Sequence, residues 1–250
     1  MNNDFKSIIE KFQEINKKGY VQGINNNIYN SAGLTLEHLL GKKSDSMFFP
    51  DYFGIEVKCT QRFSRYNISL FSLSFDGPEL FESNYLLEQY GKTHSTLAKK
   101  DLVVSLKINE KVLVYDQYYF ELKIDYDNKK IFIRIYNIMH EFIEDRAFIY
   151  FDSIEQRLLL KLNKLALFYA SKKKMSDNLF FRYYRLECYQ CKNIDAFIQG
   201  LEDGNIKAVL LLRFAKSGKD ILKNKNKNIQ FSIKKNNIES LFERVCSYEK

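Results

Sequence analysis

The residue types in this sequence that could do chemistry together are concentrated around Asp51, Glu56 and Lys58. Alternate residues of a strand lie on the same face, so Ile55 and Val57 can enter a core while Glu56 and Lys58 share the opposite face. Asp51 precedes that strand on a turn led by a proline and can return beside it. Two carboxylates this close repel each other, and a hard divalent cation with oxygen ligands is the usual solution.

A divalent cation in such a site suits phosphodiester hydrolysis. Mg²⁺ can polarise the phosphate and lower the pKa of a bound water, while Lys58 stabilises developing negative charge. This pattern favours a nuclease. The alternative is structural, because a solvated strand face carrying one Glu and one Lys also occurs by chance.

A short helix predicted upstream offers a third acid. Leu36, Leu39 and Leu40 fall at helical spacing and would face a core, and Gly41 would end the segment. Glu37 lies off that apolar stripe. Beside the strand, its carboxylate could join the other two near the metals.

A second Glu-x-Lys pattern occurs at Glu121 and Lys123. It has no preceding Pro-Asp and no upstream helical Glu, and it lies in a predicted hairpin closed by residues 127–129. Alternation along an antiparallel hairpin explains it, so it is interpreted as structural.

The bulk properties of the chain favour a polyanionic partner. Its 250 residues allow one large domain or two packed lobes, and 39 Lys and Arg against 31 Asp and Glu give a net charge of +8. No apolar run approaches the ~20 residues of a membrane helix, and the charged N-terminal segment is unlike a signal peptide. Four cysteines without framework spacing fit a reducing compartment, so a cytoplasmic protein is expected.

The remaining periodicity predicts helices and strands along the whole chain. Helices are predicted at residues 5–15, 155–170, 194–202 and 238–245. Strands are predicted at residues 67–75, 102–108, 119–126, 130–136, 206–214 and 229–234, the first of them paired with the catalytic strand. The last two strands frame a basic loop and would form a β-ribbon suited to the major groove.

Several of these segments, in this order and spacing, resemble one nuclease family. GLTLEHLLGKK, the Pro-Asp turn, the strand GIEVK and the Leu70-Phe71 strand resemble the MvaI/BcnI family of type II restriction endonucleases. Its members are relatives of the mismatch-repair nicking enzyme MutH within the PD-(D/E)xK nucleases. The resemblance implies an α/β fold with a mixed sheet and a MutH-like core. Residues 1–150 would form the catalytic lobe, and residues 151–250 an intimately packed DNA-recognition lobe.

The resemblance also implies roles for individual residues. Asp51 and Glu56 would bind Mg²⁺, for which Mn²⁺ can substitute, Lys58 would be the catalytic lysine, and Glu37 would support the site. Candidate DNA contacts lie in a Tyr-Gly-Lys segment and in the ribbon with its basic loop. They are Lys92, His94, Arg213, Lys216, Ser217, Lys219, Lys225, Lys227 and Gln230.

One departure from the family bears on the target sequence. Relatives carry an Arg in the final strand, where this chain has Ser232. Arg pairs with guanine, whereas Asn and Gln suit adenine. A target richer in A·T, contacted in part by Gln230 or Asn228, is therefore a hypothesis.

The function predicted from these observations is Mg²⁺-dependent, sequence-specific cleavage of double-stranded DNA that leaves 5′-phosphate ends. By resemblance the enzyme would act as a monomer, with a cognate DNA methyltransferase as its genetic partner. Two alternatives remain open: a MutH-like strand-specific nickase in repair, and a catalytically inactive, sequence-specific DNA-binding protein.

Overall fold

The chain divides into two compact units that interleave in sequence. The computed structural model describes residues 3–41, 50–61, 64, 66–77, 83–93, 100–214 and 224–249. Unit 1 comprises Met1–Ile68, Arg157–Asn193 and Ile238–Lys250, and unit 2 comprises Ser69–Gln156 and Ile194–Asn237. This division differs from the predicted boundary at residue 150, because the sheet containing the strand with Glu56 and Lys58 draws its other long strands from the second half of the chain.

The described residues contain five α-helices, three other helical segments and fourteen strands. The α-helices are α1 (Lys6–Lys17), α2 (Ser31–Leu39), α3 (Ser83–Tyr90), α4 (Phe151–Arg157) and α5 (Ile194–Glu202). The strands are β1 (Val21–Gln22), β2 (Glu56–Gln61), β3 (Ile68–Leu73), β4 (Lys92–Thr93), β5 (Lys100–Leu106), β6 (Val112–Val114), β7 (Tyr118–Asp125), β8 (Lys130–Asn137), β9 (Phe142–Tyr150), β10 (Lys164–Met175), β11 (Asn178–Cys191), β12 (Ile206–Phe214), β13 (Asn224–Ile233) and β14 (Phe242–Glu249). Asn3–Phe5 and Lys235–Ser240 form 3₁₀ turns, and Leu158–Leu162 forms a π-helical turn.

Unit 1 is built on a mixed sheet in the order β1-β11-β10-β2, with β14 also paired to β11. β2 runs parallel to β10, and Glu56 is the register partner of Leu165. α1 packs against β11 and α2 against β2. The mixed sheet flanked by helices positions β2, and with it the predicted catalytic residues.

Both helices of unit 1 form where the sequence predicts them. α1 buries a stripe at helical spacing that includes Ile8, Phe12 and Ile15, and this stripe joins a core completed by residues of β10 and β11. α2 buries Leu36 and Leu40 in the same core, with Leu39 packed partly buried against it. The helix ends at Leu39, and Gly41 just after the C-cap Leu40 has a positive φ of 74°, which suits a glycine that terminates a helix.

Unit 2 contains two sheets, in the orders β3-β13-β12-β5-β4 and β6-β7-β8-β9. The predicted strands at residues 102–108, 119–126, 130–136 and 206–214 and the helix at residues 194–202 are confirmed within a few residues. β9 is an additional strand that was not predicted. The rings of Phe71, Phe197 and Phe231 contact one another and connect β3, α5 and β13.

The predicted helix at residues 155–170 is confirmed as helical only up to Leu162 and is wrong in its second half. α4 ends at Arg157, and β10 begins at Lys164 after the π-helical turn. Leu165, Ala166, Leu167 and Phe168 are all fully buried, because β10 lies between β2 and β11. A strand buried on both faces is apolar at successive positions, and this pattern also fits a helix.

The C-terminal helix predicted at residues 238–245 is also wrong. β14 occupies residues 242–249 and hydrogen-bonds along β11, so pairing with a distant strand outweighs a local helical pattern. Two strand predictions need correction. β3 pairs with β13 and lies in a different sheet from β2, and the strand predicted from residue 229 begins at Asn224.

No helix among the described residues is long and apolar enough to cross a membrane.

Candidate active site

β2 places Glu56 and Lys58 side by side at its start. Glu56 is 1% exposed and Lys58 is half-buried. The Lys58 Nζ lies 2.6 Å from the Glu56 Oε1 and donates a hydrogen bond to it. Val57 between them is buried in the core of unit 1. The predicted alternation is confirmed, although the face that carries Glu56 is far less exposed than a solvated strand face.

A tight turn returns Asp51 to the beginning of β2. Tyr52 and Ile55 exchange two backbone hydrogen bonds of 2.9 Å each, with Phe53 and Gly54 between them. Beyond the turn, the Val57 amide donates a hydrogen bond of 3.0 Å to the Asp51 Oδ2. This bond fixes one carboxylate oxygen of Asp51, as the Pro-Asp turn in the sequence led us to expect.

Lys161 is a second lysine at the site, and sequence analysis did not identify it as part of the site. Its Nζ lies 3.6 Å from the Glu56 Oε1. The π-helical turn that carries Lys161 is anchored by the buried Leu158 and Leu162. The sequence places Lys161 on a long predicted helix, as part of a solvated face or of a basic surface toward DNA, because no local signal reveals that β10 lies beside β2.

The environment of Glu56 disfavours the ionised form of its carboxyl group. Burial raises the pKa of Glu56 above its usual value, the neighbouring Asp51 carboxylate raises it further, and Lys58 and Lys161 act in the opposite direction. The Glu56 Oε2 is buried and has no hydrogen-bond partner among the residues that the structure describes. A buried carboxylate oxygen without a partner is costly. A bound cation would remove that cost.

The donor set fits a hard divalent cation. The carboxylates of Asp51 and Glu56 offer oxygen ligands, the type that Mg²⁺ prefers, and the unpartnered Oε2 is available for coordination. Glu37 is half-buried on α2, which packs against β2. The described ranges contain no group of three or more His, Cys, Asp and Glu side chains that could hold a metal ion. Glu37 is therefore not joined to Asp51 and Glu56 in a three-carboxylate cluster.

Comparison with known proteins identifies the family. A profile of the MvaI/BcnI restriction endonuclease family matches residues 9–242. The chain belongs to this family. Solved structures similar to it include restriction endonuclease MvaI in complex with its cognate DNA substrate, with 22% sequence identity, a TM-score of 0.88 and coverage of 98% of both chains. MvaI in the absence of DNA matches with 22% identity, a TM-score of 0.62 and coverage of 98% of this chain and 97% of that one.

These findings confirm the predicted family and fold class, and they make this MvaI/BcnI family member a type II site-specific deoxyribonuclease. No curated protein matches the sequence. Restriction endonucleases of this kind generally use divalent metal ions and act on DNA. This chain therefore belongs to a class of enzymes that cleave DNA, and it brings together the carboxylates of Asp51 and Glu56 and the amine of Lys58.

The predicted DNA contacts of this MvaI/BcnI family member that the structure describes belong to unit 2. β12 and β13 pair antiparallel, which confirms the predicted ribbon. Arg213 is exposed on β12, and Gln230 is half-buried on β13. Lys225 and Lys227 belong to β13. Lys92 is exposed on β4. His94, Lys216, Ser217 and Lys219 lie outside the described residues.

Proposed function

We propose that this protein is a Mg²⁺-dependent restriction endonuclease that cuts both strands of a specific DNA sequence and leaves 5′-phosphate and 3′-hydroxyl ends. Family membership supports a sequence-specific endonuclease. The observation that carries the metal requirement is the buried, unpartnered Oε2 of Glu56, next to the Asp51 carboxylate. Mn²⁺, which accepts the same oxygen ligands, would substitute.

Asp51 and Glu56 would hold the cation. A bound Mg²⁺ would supply positive charge to the phosphodiester and lower the pKa of a water. Asp51 is held in place by the Val57 amide, so its second oxygen is oriented without a search over rotamers. Glu56 is fixed by its strand and by burial.

The two lysines would act on charge that develops during cleavage. Lys58 and Lys161 both lie next to the Glu56 Oε1. Lys58 would donate hydrogen bonds to a phosphate oxygen, where charge accumulates in the transition state. Lys161 would keep the site electropositive from the π-helical turn that precedes β10.

Unit 2 would read the DNA sequence. A ribbon of β12 and β13 has dimensions that the major groove admits, and Arg213 is exposed on it. Gln230 on β13 carries an amide that can pair with adenine. A purely G·C core at the mapped cleavage site would contradict this part of the proposal.

We further propose a cytoplasmic monomer whose cognate methyltransferase protects host DNA at the same sequence.

The test is cleavage of supercoiled plasmid and AT-rich phage DNA by the wild-type protein and Asp51→Ala. We expect discrete fragments from the wild type in Mg²⁺, none in EDTA, and a loss of about 10³-fold in rate for the variant. Product ends that accept label from polynucleotide kinase only after phosphatase treatment would identify 5′-phosphates. Cleavage that persists in EDTA, or that Asp51→Ala leaves unchanged, would refute the proposed site.

The same gel distinguishes the alternatives. Nicked circles that never become linear would indicate a strand-specific nickase. DNA that stays intact but is retarded on a native gel would indicate a binding protein without catalysis. The intact arrangement of Asp51, Glu56 and Lys58 favours the nuclease.

A further inference from the structure

The turn between Asp51 and Glu56 contains a strained, exposed aromatic residue. Phe53 has a φ of 44° and Gly54 a φ of 80°, and the turn is closed on both sides by the hydrogen bonds between Tyr52 and Ile55. Two-residue turns of this kind favour Asn or Gly at the first position, because a bulky side chain at positive φ is strained. Phe53 is also 85% exposed. Neither its backbone conformation nor its exposure stabilises the free protein.

The other ring-bearing residues at positive φ make contacts within the protein that hold their side chains in place. Among the described residues these are Tyr115 and His140. The Tyr115 hydroxyl donates to the Asp101 carbonyl at 3.0 Å. The His140 ring stacks on Tyr119 with centroids 4.3 Å apart. The Phe53 ring contacts the edge of Tyr52 at 4.8 Å between centroids and still leaves most of its surface in solvent.

The position of Phe53 limits what could cover that ring. Phe53 is two residues from Asp51, so their Cα atoms are within about 7.6 Å of each other. A phosphodiester that reaches the Asp51 and Glu56 carboxylates therefore brings its neighbouring sugars and bases close to Phe53. An exposed apolar ring on a rigid turn suits the apolar faces of a nucleotide, which aromatic side chains contact by stacking.

We propose that Phe53 is a DNA-contacting residue whose ring packs on the sugar or base next to the cleaved phosphodiester. The closed turn holds the ring in place before DNA binds, which reduces the ordering cost of the contact. The backbone strain is then a loss of stability in the free protein that is offset only in the complex. This inference rests on the proposed function, since it takes DNA as the substrate at this site.

The test compares Phe53→Asn with Ser176→Gly. Asn relaxes the turn and removes the ring. Ser176 also has positive φ, at 52°, and is exposed in the turn between β10 and β11, so its Gly variant relieves strain at a site without a proposed DNA contact. Thermal midpoints, and binding in EDTA to supercoiled plasmid and to a labelled duplex carrying the mapped cleavage site, are measured for each.

We expect both variants to have raised thermal midpoints, and only Phe53→Asn to bind DNA about tenfold more weakly. The slope of its affinity against salt should match that of the wild type, because no phosphate contact is lost. Phe53→Tyr should retain wild-type affinity. The shift of the thermal midpoint caused by Mg²⁺ should be unchanged in Phe53→Asn, which separates a DNA contact from damage to the carboxylates.

Two results would overturn the inference. Wild-type affinity in Phe53→Asn would show that the ring makes no useful DNA contact. A lowered thermal midpoint in Phe53→Asn would show that the ring stabilises the free protein instead. Failure of the wild type to cut any DNA would refute the proposed function separately, and plasmid binding by the two variants would still decide the role of Phe53.

Discussion

Two strands of this protein carry the same Glu-x-Lys pattern, and the structure gives their carboxylates opposite environments. Glu56 on β2 is 1% exposed and Glu121 on β7 is 5% exposed, and each is followed two residues later by a half-buried lysine. The Lys58 Nζ lies 2.6 Å from its Glu and the Lys123 Nζ 3.3 Å from its own. Strand, spacing and burial therefore do not distinguish the two pairs.

The difference lies in the second carboxylate oxygen. The Glu121 Oε2 accepts a hydrogen bond of 2.9 Å from the Tyr136 hydroxyl on β8. The corresponding oxygen of Glu56 has no hydrogen-bond partner in the described part of the chain, and Asp51 adds a second negative charge beside it. A carboxylate satisfied by protein groups is structural, whereas one left unsatisfied next to another acid is prepared for a cation.

The largest expected effect separates the two glutamates by activity. Glu56→Gln should reduce the rate of plasmid cleavage in Mg²⁺ by about 10³-fold, because the proposed metal ligand is lost. Glu121→Gln should change the rate by no more than about twofold. Equal losses in the two variants, measured under single-turnover conditions, would remove the distinction drawn here.

The next effect concerns the lysine contributed by the π-helical turn. Lys161→Met should slow cleavage by about tenfold or more, since a positive charge beside the reacting phosphate is removed. Lys164→Met is the matched control, because Lys164 pairs instead with Asp4 at 3.3 Å. If both variants cleave at the wild-type rate, Lys161 only balances the charge of Glu56.

Removing the Tyr136 hydroxyl would give Glu121 an unpartnered carboxylate oxygen like that of Glu56. Tyr136→Phe would leave the Glu121 Oε2 buried without its donor, at a cost of about 1–2 kcal/mol in the free energy of unfolding. Urea denaturation followed by circular dichroism measures this loss. Cleavage should be unaffected, since Asp116, which precedes Glu121 at the spacing of Asp51 before Glu56, is exposed and does not follow a proline. Unchanged stability would mean that the hydroxyl contributes nothing to the pair.

The smallest expected effect is on the stability of the metal-free protein. The pKa of Glu56 is raised in the folded protein, so folding favours the protonated carboxyl, and the stability this provides is lost as the pH rises through the raised pKa. Glu56→Gln keeps the group neutral. Its thermal midpoint in EDTA should exceed that of the wild type by about 2–4 °C above that pKa. The gain should disappear at acid pH, where the wild-type carboxyl is also neutral.

The matching control is the same substitution at Glu121, and its thermal midpoint should shift in the opposite direction. Glu121→Gln should lower the thermal midpoint at neutral pH, because the charge-assisted bonds from Lys123 and Tyr136 are weakened. Two glutamates on the same pattern would then differ in the sign of their contribution to stability. A lower midpoint for both variants would show that the cost of burying Glu56 has been overstated.

The sequence alone predicted the parts of the site that local geometry determines. The Pro-Asp turn and the alternation of β2 bring Asp51, Glu56 and Lys58 together within one short segment, so their association needed no knowledge of the rest of the fold. The fold class, in contrast, was predicted only through the resemblance of the motif order to the MvaI/BcnI family.

What the sequence did not predict depends on contacts between distant segments. The position of Lys161 depends on the parallel pairing of β2 with β10, and a helical interpretation of residues 155–170 hid that pairing. β14 was interpreted as a helix because its pairing with β11 leaves no local trace. Likewise, only the structure shows that Tyr136 satisfies Glu121.

The parallel pairing of β2 with β10 also affects the order in which the candidate site can assemble during synthesis. Glu56 emerges from the ribosome long before its register partner Leu165, and the segments between them include most of unit 2. Closing so long a loop is an entropic cost that only late contacts repay. Lys161 cannot reach Glu56 until β10 has been synthesised and paired. The arrangement that includes Lys161 therefore forms only after the chain has been synthesised through β10 and that strand has paired with β2.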